Sequence, residues 1–178
     1  MNKYLALAYV ALLVIMDQAT KLAAVNYLRP VGSLALVPGV FHLTYATNDG
    51  AAFGLFSGGR WFFVAVTVAV VAALAYYFVK LPHTREYSWV RLTLVLICGG
   101  ALGNFIDRLM KGYVVDFLHV TFINFPVFNL ADVFLVVGTA VLSALLIFVI
   151  KDEPVSKEPA ESKPAESKPA APAVSEHE

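Results

Sequence analysis

The sequence predicts an all-α membrane protein: four transmembrane helices with a small extracytoplasmic β-sheet and loop region. Three observations lead there. Of the 178 residues, 59% are hydrophobic, against roughly 45–50% for ordinary soluble chains. Four separate segments are apolar enough to cross a bilayer, which takes about 20 residues each. Between the first two, apolar and polar residues alternate as they do along a half-buried strand.

The first span covers about residues 4–27 and is interrupted by Asp17 and Lys21. Lys3 ahead of an apolar stretch resembles a signal peptide. No clear A-x-A cleavage site follows that stretch before Asp17, however, and three more spans follow, so this segment is expected to stay as a helix. The second span, about 61–79, carries no charge. The third, about 91–109, lies between basic Arg91 and the polar run Asn104 to Arg108, and the fourth covers about 130–150. Hydrocarbon offers the backbone no hydrogen-bond partners, so each span must be helical.

Basic residues set the orientation. Lys3, Lys80, Arg85, Arg91 and Lys151 place both termini and the short second connection in the cytoplasm, against Arg29, Arg60, Arg108 and Lys111 on the other side. The two outer connections, about 28–60 and 109–130, are the long ones. In the first, Phe41 to Thr47 alternates like a strand and Asn48-Asp49-Gly50 supplies its turn. Gly32 to Val37 and Tyr113 to His119 are expected to add strands. Gly50, Gly54, Gly58 and Gly59 flank an apolar patch, which suggests that the loop around Asn48 to Phe53 acts as a lid over whatever lies beneath.

Residues 1–150 form one domain carrying nine basic and six acidic groups. Residues 151–178 are of another kind: Pro, Ala, Glu, Ser and Lys with seven acids and four lysines, a composition expected to be disordered. Cys98 stands alone, which rules out an intramolecular disulfide. The four histidines form no H-E-x-x-H and no G-x-S-x-G is present, so neither a metal nor a cofactor is expected. No basic, aromatic-interleaved surface of a nucleic-acid binder is found either.

Charges inside an apolar body are informative, because each costs about 2.5–3.5 kcal/mol at a helix centre. Asp17 and Lys21, four apart, share a helix face and read as a structural ion pair. Asn104 and Arg108 repeat that spacing; Arg108 either orients something at the outer surface or merely snorkels to it. Asn129 and Asp132 have the spacing of a capping box. Asp116 has no capping role and would otherwise be a solvated loop carboxylate. Taken together, Asp116 and Asp132 fall at the same end of the bundle. Two carboxylates brought close in a poorly solvated site share a proton, which is the equipment for acid–base hydrolysis.

At these residues the sequence resembles lipoprotein signal peptidase, or signal peptidase II. The matching pieces are Asp17-Gln18-Ala19-Thr20-Lys21, Asn48-Asp49-Gly50-Ala51-Ala52-Phe53, the run Gly99 to Arg108, Val114-Val115-Asp116-Phe117 and Phe128-Asn129-Leu130-Ala131-Asp132. The resemblance implies an aspartic peptidase of the bacterial inner membrane, working near the periplasmic face. Its implied partners are membrane lipid and a diacylglyceryl prolipoprotein, cut on the N-terminal side of the lipid-bearing cysteine. It makes Asp116 and Asp132 the catalytic pair, with Asn48, Gly50, Gly103, Asn104, Arg108, Asn129 and Ala131 in substrate-binding or supporting roles. Asp17 and Lys21 would hold the architecture, and the chain is expected to act as a monomer. The contrasting possibility is a proton-coupled membrane transporter relaying protons through the same carboxylates, although no internal repeat of the transporter kind is visible.

Overall fold

A computed structural model describes residues 1–50, 58–123 and 125–149. Helix α1 runs Lys3–Ala23, opened by the Asn2 side chain accepting the Leu5 N–H at 2.8 Å, and continues through a π-helical turn at Ala24–Leu28. Strands β1 (Ser33–Val37) and β2 (Phe41–Asn48) follow, then α2 (Arg60–Lys80), α3 (Arg85–Lys111), β3 (Val114–Val120) and α4 (Leu130–Ala144). The last helix also ends in a π-helical turn, Leu145–Val149. Four stretches are long and apolar enough to cross a membrane: Lys3–Leu28, Arg60–Lys80, Arg85–Lys111 and Leu130–Val149.

Helix α3 is the hub, with α1, α2 and α4 all packed against it. Its composition suits that position. Gly99, Gly100 and Gly103 are buried in it and let neighbouring helices approach closely, the usual device where lipid gives no hydrophobic drive. By contrast α2 buries none of its residues and makes no comparable contact with α1 or α4. It stands beside the bundle, held mainly by α3.

The three strands form one antiparallel sheet in the order β1-β2-β3. Pro38-Gly39 turns β1 into β2, with Gly39 at φ 74° as the third position of a type II turn requires. In the register, Ser33 faces Thr44 and Phe41 faces Val120, with an irregularity between Leu43 and Ala46. Val115 and Phe117 pack on Ala24 and Leu28, so the sheet is seated on the end of α1.

The third helix differs from the sequence reading at its start, which lies at Arg85 rather than near 91. Arg91, read as a loop cation, is buried inside that helix at 1% exposure. Its guanidinium donates to the carbonyls of Leu81 (2.7 Å) and Pro82 (3.1 Å) and sits over the Phe78 ring. These groups follow the end of α2, where backbone acceptors are left without intrahelical donors. The later part of the expected lid, the loop around Asn48 to Phe53, falls within 51–57, and the expected disordered tail on 151–178; these lie outside the described residues.

Candidate active site

The site rests on a group of charges with no exposure to solvent. Asp17, Lys21 and Asp107 are each 0% exposed. Lys21 Nζ lies 2.9 Å from Asp17 Oδ2 and 3.4 Å from Asp107 Oδ2, and donates to Asn104 Oδ1 at 2.8 Å. A buried lysine with a carboxylate on each side offsets much of its desolvation cost. Each carboxylate also secures a piece of backbone. Asp17 Oδ1 accepts the Ala131 N–H in the first turn of α4, at 3.0 Å. Asp107 Oδ2 accepts the Val115 N–H at 3.1 Å, and its Oδ1 meets Lys111 at 3.0 Å. Helix α4 and strand β3 are therefore both tied to the same cation. Gly103 faces Asp17 so closely that a Cβ there would lie 2.5 Å from Oδ2.

Above this base, two asparagines connect Asp116 on β3 to Asp132 at the start of α4. Asn129 is the N-cap of α4, and its side-chain oxygen accepts the Asp132 N–H at 3.1 Å. In return Asp132 Oδ2 accepts the Asn129 N–H at 3.0 Å, completing the capping box. The amide nitrogen of Asn129 then donates to Asp116 Oδ1 at 2.6 Å and to Asn104 Oδ1 at 3.1 Å. Asn104 sends its own amide nitrogen to Asp132 Oδ1 at 2.8 Å. Its orientation is forced, because Lys21 has only donors and must face the Asn104 oxygen. From β2, Asn48 donates to Asp116 Oδ2 at 3.2 Å.

Both aspartates open on one cavity of about 480 Å³, together with Asn48, Asn104 and Arg108. Its far walls are apolar: Val66 and Val70 of α2, Leu135 of α4, and Phe125 to Phe128 ahead of α4. Asp116 is only 2% exposed. Burial, and then the neighbouring charge of Asp132, push its carboxyl up to about 6, against the opposing pull of the Asn129 and Asn48 amides. Arg108 leans over the Phe63 ring, 4.6 Å from its centroid, and donates to the Gly50 carbonyl at 3.0 Å. Its Nε is buried and meets no acceptor among the described residues.

The residues singled out in the sequence thus occupy three levels. Asp116, Asp132, Asn48, Asn104 and Arg108 face the cavity; Asn129, Ala131, Gly103, Asp17 and Lys21 stand behind them; Gly50 touches Arg108 at the rim. Sequence reasoning gave Asp107 no role, although its spacing from Lys111 marked an i,i+4 pair. It also passed over Gln18, which bridges Asp17 (3.2 Å) and the Gly103 carbonyl (3.0 Å).

Four helices apolar enough to span a membrane, with a mostly apolar cavity at one end onto which Asp116 and Asp132 both open, describe a polytopic membrane protein with a candidate active site. Residues 9–148 match the signal peptidase (SPase) II family. The chain is 48% identical to a lipoprotein signal peptidase of Caldanaerobacter subterraneus subsp. tengcongensis, over 81% of this chain and 97% of that protein. It is 44% identical to one of Brevibacillus brevis, over 74% and 87% of the respective lengths. A solved bacterial membrane enzyme superposes with a TM-score of 0.75 at 33% identity, covering 82% of this chain and 88% of that one. The chain belongs to the signal peptidase II family and is a membrane peptidase.

Proposed function

We propose that this peptidase removes the signal peptide from diacylglyceryl-modified prolipoproteins, cutting N-terminal to the lipidated cysteine with a water activated by Asp116 and Asp132. The observation that carries this reading is the shared cavity, in which both carboxylates are held by separate amide donors. Asp116, pushed up to about 6, is the member suited to hold the shared proton. It donates that proton to the scissile carbonyl oxygen. Asp132, ionised, takes a proton from water as the hydroxyl adds to the carbonyl carbon. That second proton passes to the leaving amide nitrogen as the C–N bond breaks, and Asp116 recovers its own from the tetrahedral intermediate. Arg108, which lines the same cavity, would hold a substrate carbonyl.

The apolar walls suit the rest of the substrate. A signal helix can lie in the gap between α2 and α4, where Val66, Val70 and Leu135 face each other across the cavity. Acyl chains then stay in hydrocarbon. The positive charges near Lys3 and Arg85 favour cytoplasmic termini, which puts the acid end on the periplasmic side of a bacterial inner membrane.

The test is cleavage by the purified full chain in detergent of a diacylglyceryl prolipoprotein and of the same precursor without lipid. The lipidated precursor should be cut and the other spared. Asp116→Asn and Asp132→Asn should each abolish the reaction; full activity in either ends the pair's assignment. A carrier relaying protons through the same groups would cut neither precursor.

A further inference from the structure

At the end of the bundle away from the aspartates, two cavities run into each other. The outer one, about 390 Å³, is lined by Asn2, Lys3, Tyr4, His83 and Arg91 beside Phe78 and Val79. The inner one, about 200 Å³, is an almost wholly apolar cleft between α1, α2 and α3, reaching from Lys3 past Leu7 and Leu74 to Val95 and Cys98. Lys3, Phe78 and Val79 line both. The cleft exists because α2 leans on α3 and leaves α1 without comparable contact. Its α3 wall runs from Leu94 to Cys98, about 6 Å at 1.5 Å per helical residue.

Charge at this mouth is one-sided. Arg91 is 1% exposed, and no carboxylate pairs with it among the described residues. Carbonyls of Leu81 and Pro82 satisfy its hydrogen bonds but do not neutralise it. A buried charge normally has a counter-ion. Lys3 adds a second cation at the same mouth, its ammonium 5.3 Å from the Tyr4 ring and without an acidic partner among the described residues. Glu86, the acid of the first turn of α3, lines neither cavity. An anion is called for at the mouth and a hydrocarbon chain in the cleft behind it.

We propose that this end holds one anionic phospholipid, with its phosphate between Lys3, His83 and the field of Arg91 and one acyl chain in the α1–α2–α3 cleft. Basic pockets between membrane helices are the recognised setting for such headgroups. The site is separate from the catalytic cavity and would be a structural lipid position, wedging α2 against the rest of the bundle.

Native mass spectrometry of the full chain, exchanged from mild detergent into mixed phosphatidylglycerol and phosphatidylcholine micelles, tests this. The expected result is phosphatidylglycerol retained at least fivefold over phosphatidylcholine. Lys3→Gln with His83→Gln should bring the ratio to parity, and Ala75→Trp, which fills the cleft, should remove the retained lipid. Both sets of changes leave Arg91 and its backbone contacts in place, and a melting temperature in detergent close to the parent's checks that each variant is folded. Free glycerol phosphate should not displace the lipid. Equal retention of both lipids by the unaltered protein, an undiminished ratio in the double variant, or displacement by glycerol phosphate would each overturn the proposal.

Discussion

Asn129 donates its amide hydrogen to Asp116 at 2.6 Å while its carbonyl oxygen, at the other end of the same group, caps α4 through the Asp132 N–H. One side chain therefore serves both the folding of a helix and the holding of an acid, and substitution can separate the two.

Asn129→Ser keeps a good N-cap acceptor but has no amide to reach Asp116. Its thermal stability in detergent should stay close to that of the parent, whereas Asn129→Ala should lose about 1 kcal/mol with the cap. Cleavage of the lipidated precursor should fall at least tenfold in both. Wild-type cleavage by the serine variant would show that the Asp116 contact is dispensable.

Asp116 links stability to pH. Its carboxyl is raised from the ordinary value of 3.8 to about 6, so the folded chain holds that proton more tightly than the unfolded one. Below pH 4 both states are protonated and nothing is lost. As pH rises from about 4 to 6 the unfolded state ionises first and stability falls; above 6 the loss is constant, of the order of 3 kcal/mol. Asp116→Asn should flatten that slope, while inactive; its single amide oxygen can serve Asn129 or Asn48 but not both, which offsets part of the gain at neutral pH. Thermal unfolding across this pH range reads both effects.

Asp132→Asn should behave differently. The new amide can present an oxygen to the Asn129 N–H or to Asn104, but not to both. Asn104 cannot turn to help, because its oxygen is held by Lys21 at 2.8 Å. A loss of about 1–3 kcal/mol is expected from the unmet buried donor, visible as a lower melting temperature than for Asp116→Asn.

Lys21→Met removes the cation between Asp17 and Asp107 and leaves both carboxylates buried. Breaking a buried pair in this way costs about 3–5 kcal/mol, enough to lower expression and melting temperature sharply. Further substitution of Asp17 and Asp107 by Asn should recover part of that loss, since the unpaired charges would then be gone.

Gly103→Ala tests the closeness of α1 and α3. The added methyl would meet Asp17 Oδ2 at 2.5 Å and its Cγ at 2.9 Å. Asp17 would have to leave both Lys21 and the Ala131 N–H, and a loss of at least about 2 kcal/mol is expected, within the range for overpacked cores.

The four spans are legible in the sequence because hydrocarbon permits so few alternatives, and the strands because Phe41 to Thr47 alternates cleanly. Arg91 escapes such a reading for a physical reason. A basic residue near a short loop ordinarily faces water, and only the path of Leu81 and Pro82 brings carbonyls to it inside the helix. Asp107 escapes it because its main partner, Lys21, is on another helix; spacing along α3 reveals Lys111 but not the Val115 N–H across the turn at Gly112. The amide links through Asn104 and Asn129 are equally beyond sequence reading, since they join α1, α3, β3 and α4 at one point.

The isolation of α2 bears on what can reach the acids. A helix held along one flank leaves a sideways opening into the bilayer, so a long apolar peptide need not thread through a pore or be unwound by an aqueous cleft. A water-soluble peptide of the same local sequence would have to give up its hydration to take that route. On the proposed function, selection would begin with residence in the lipid, before any side chain of the substrate is read.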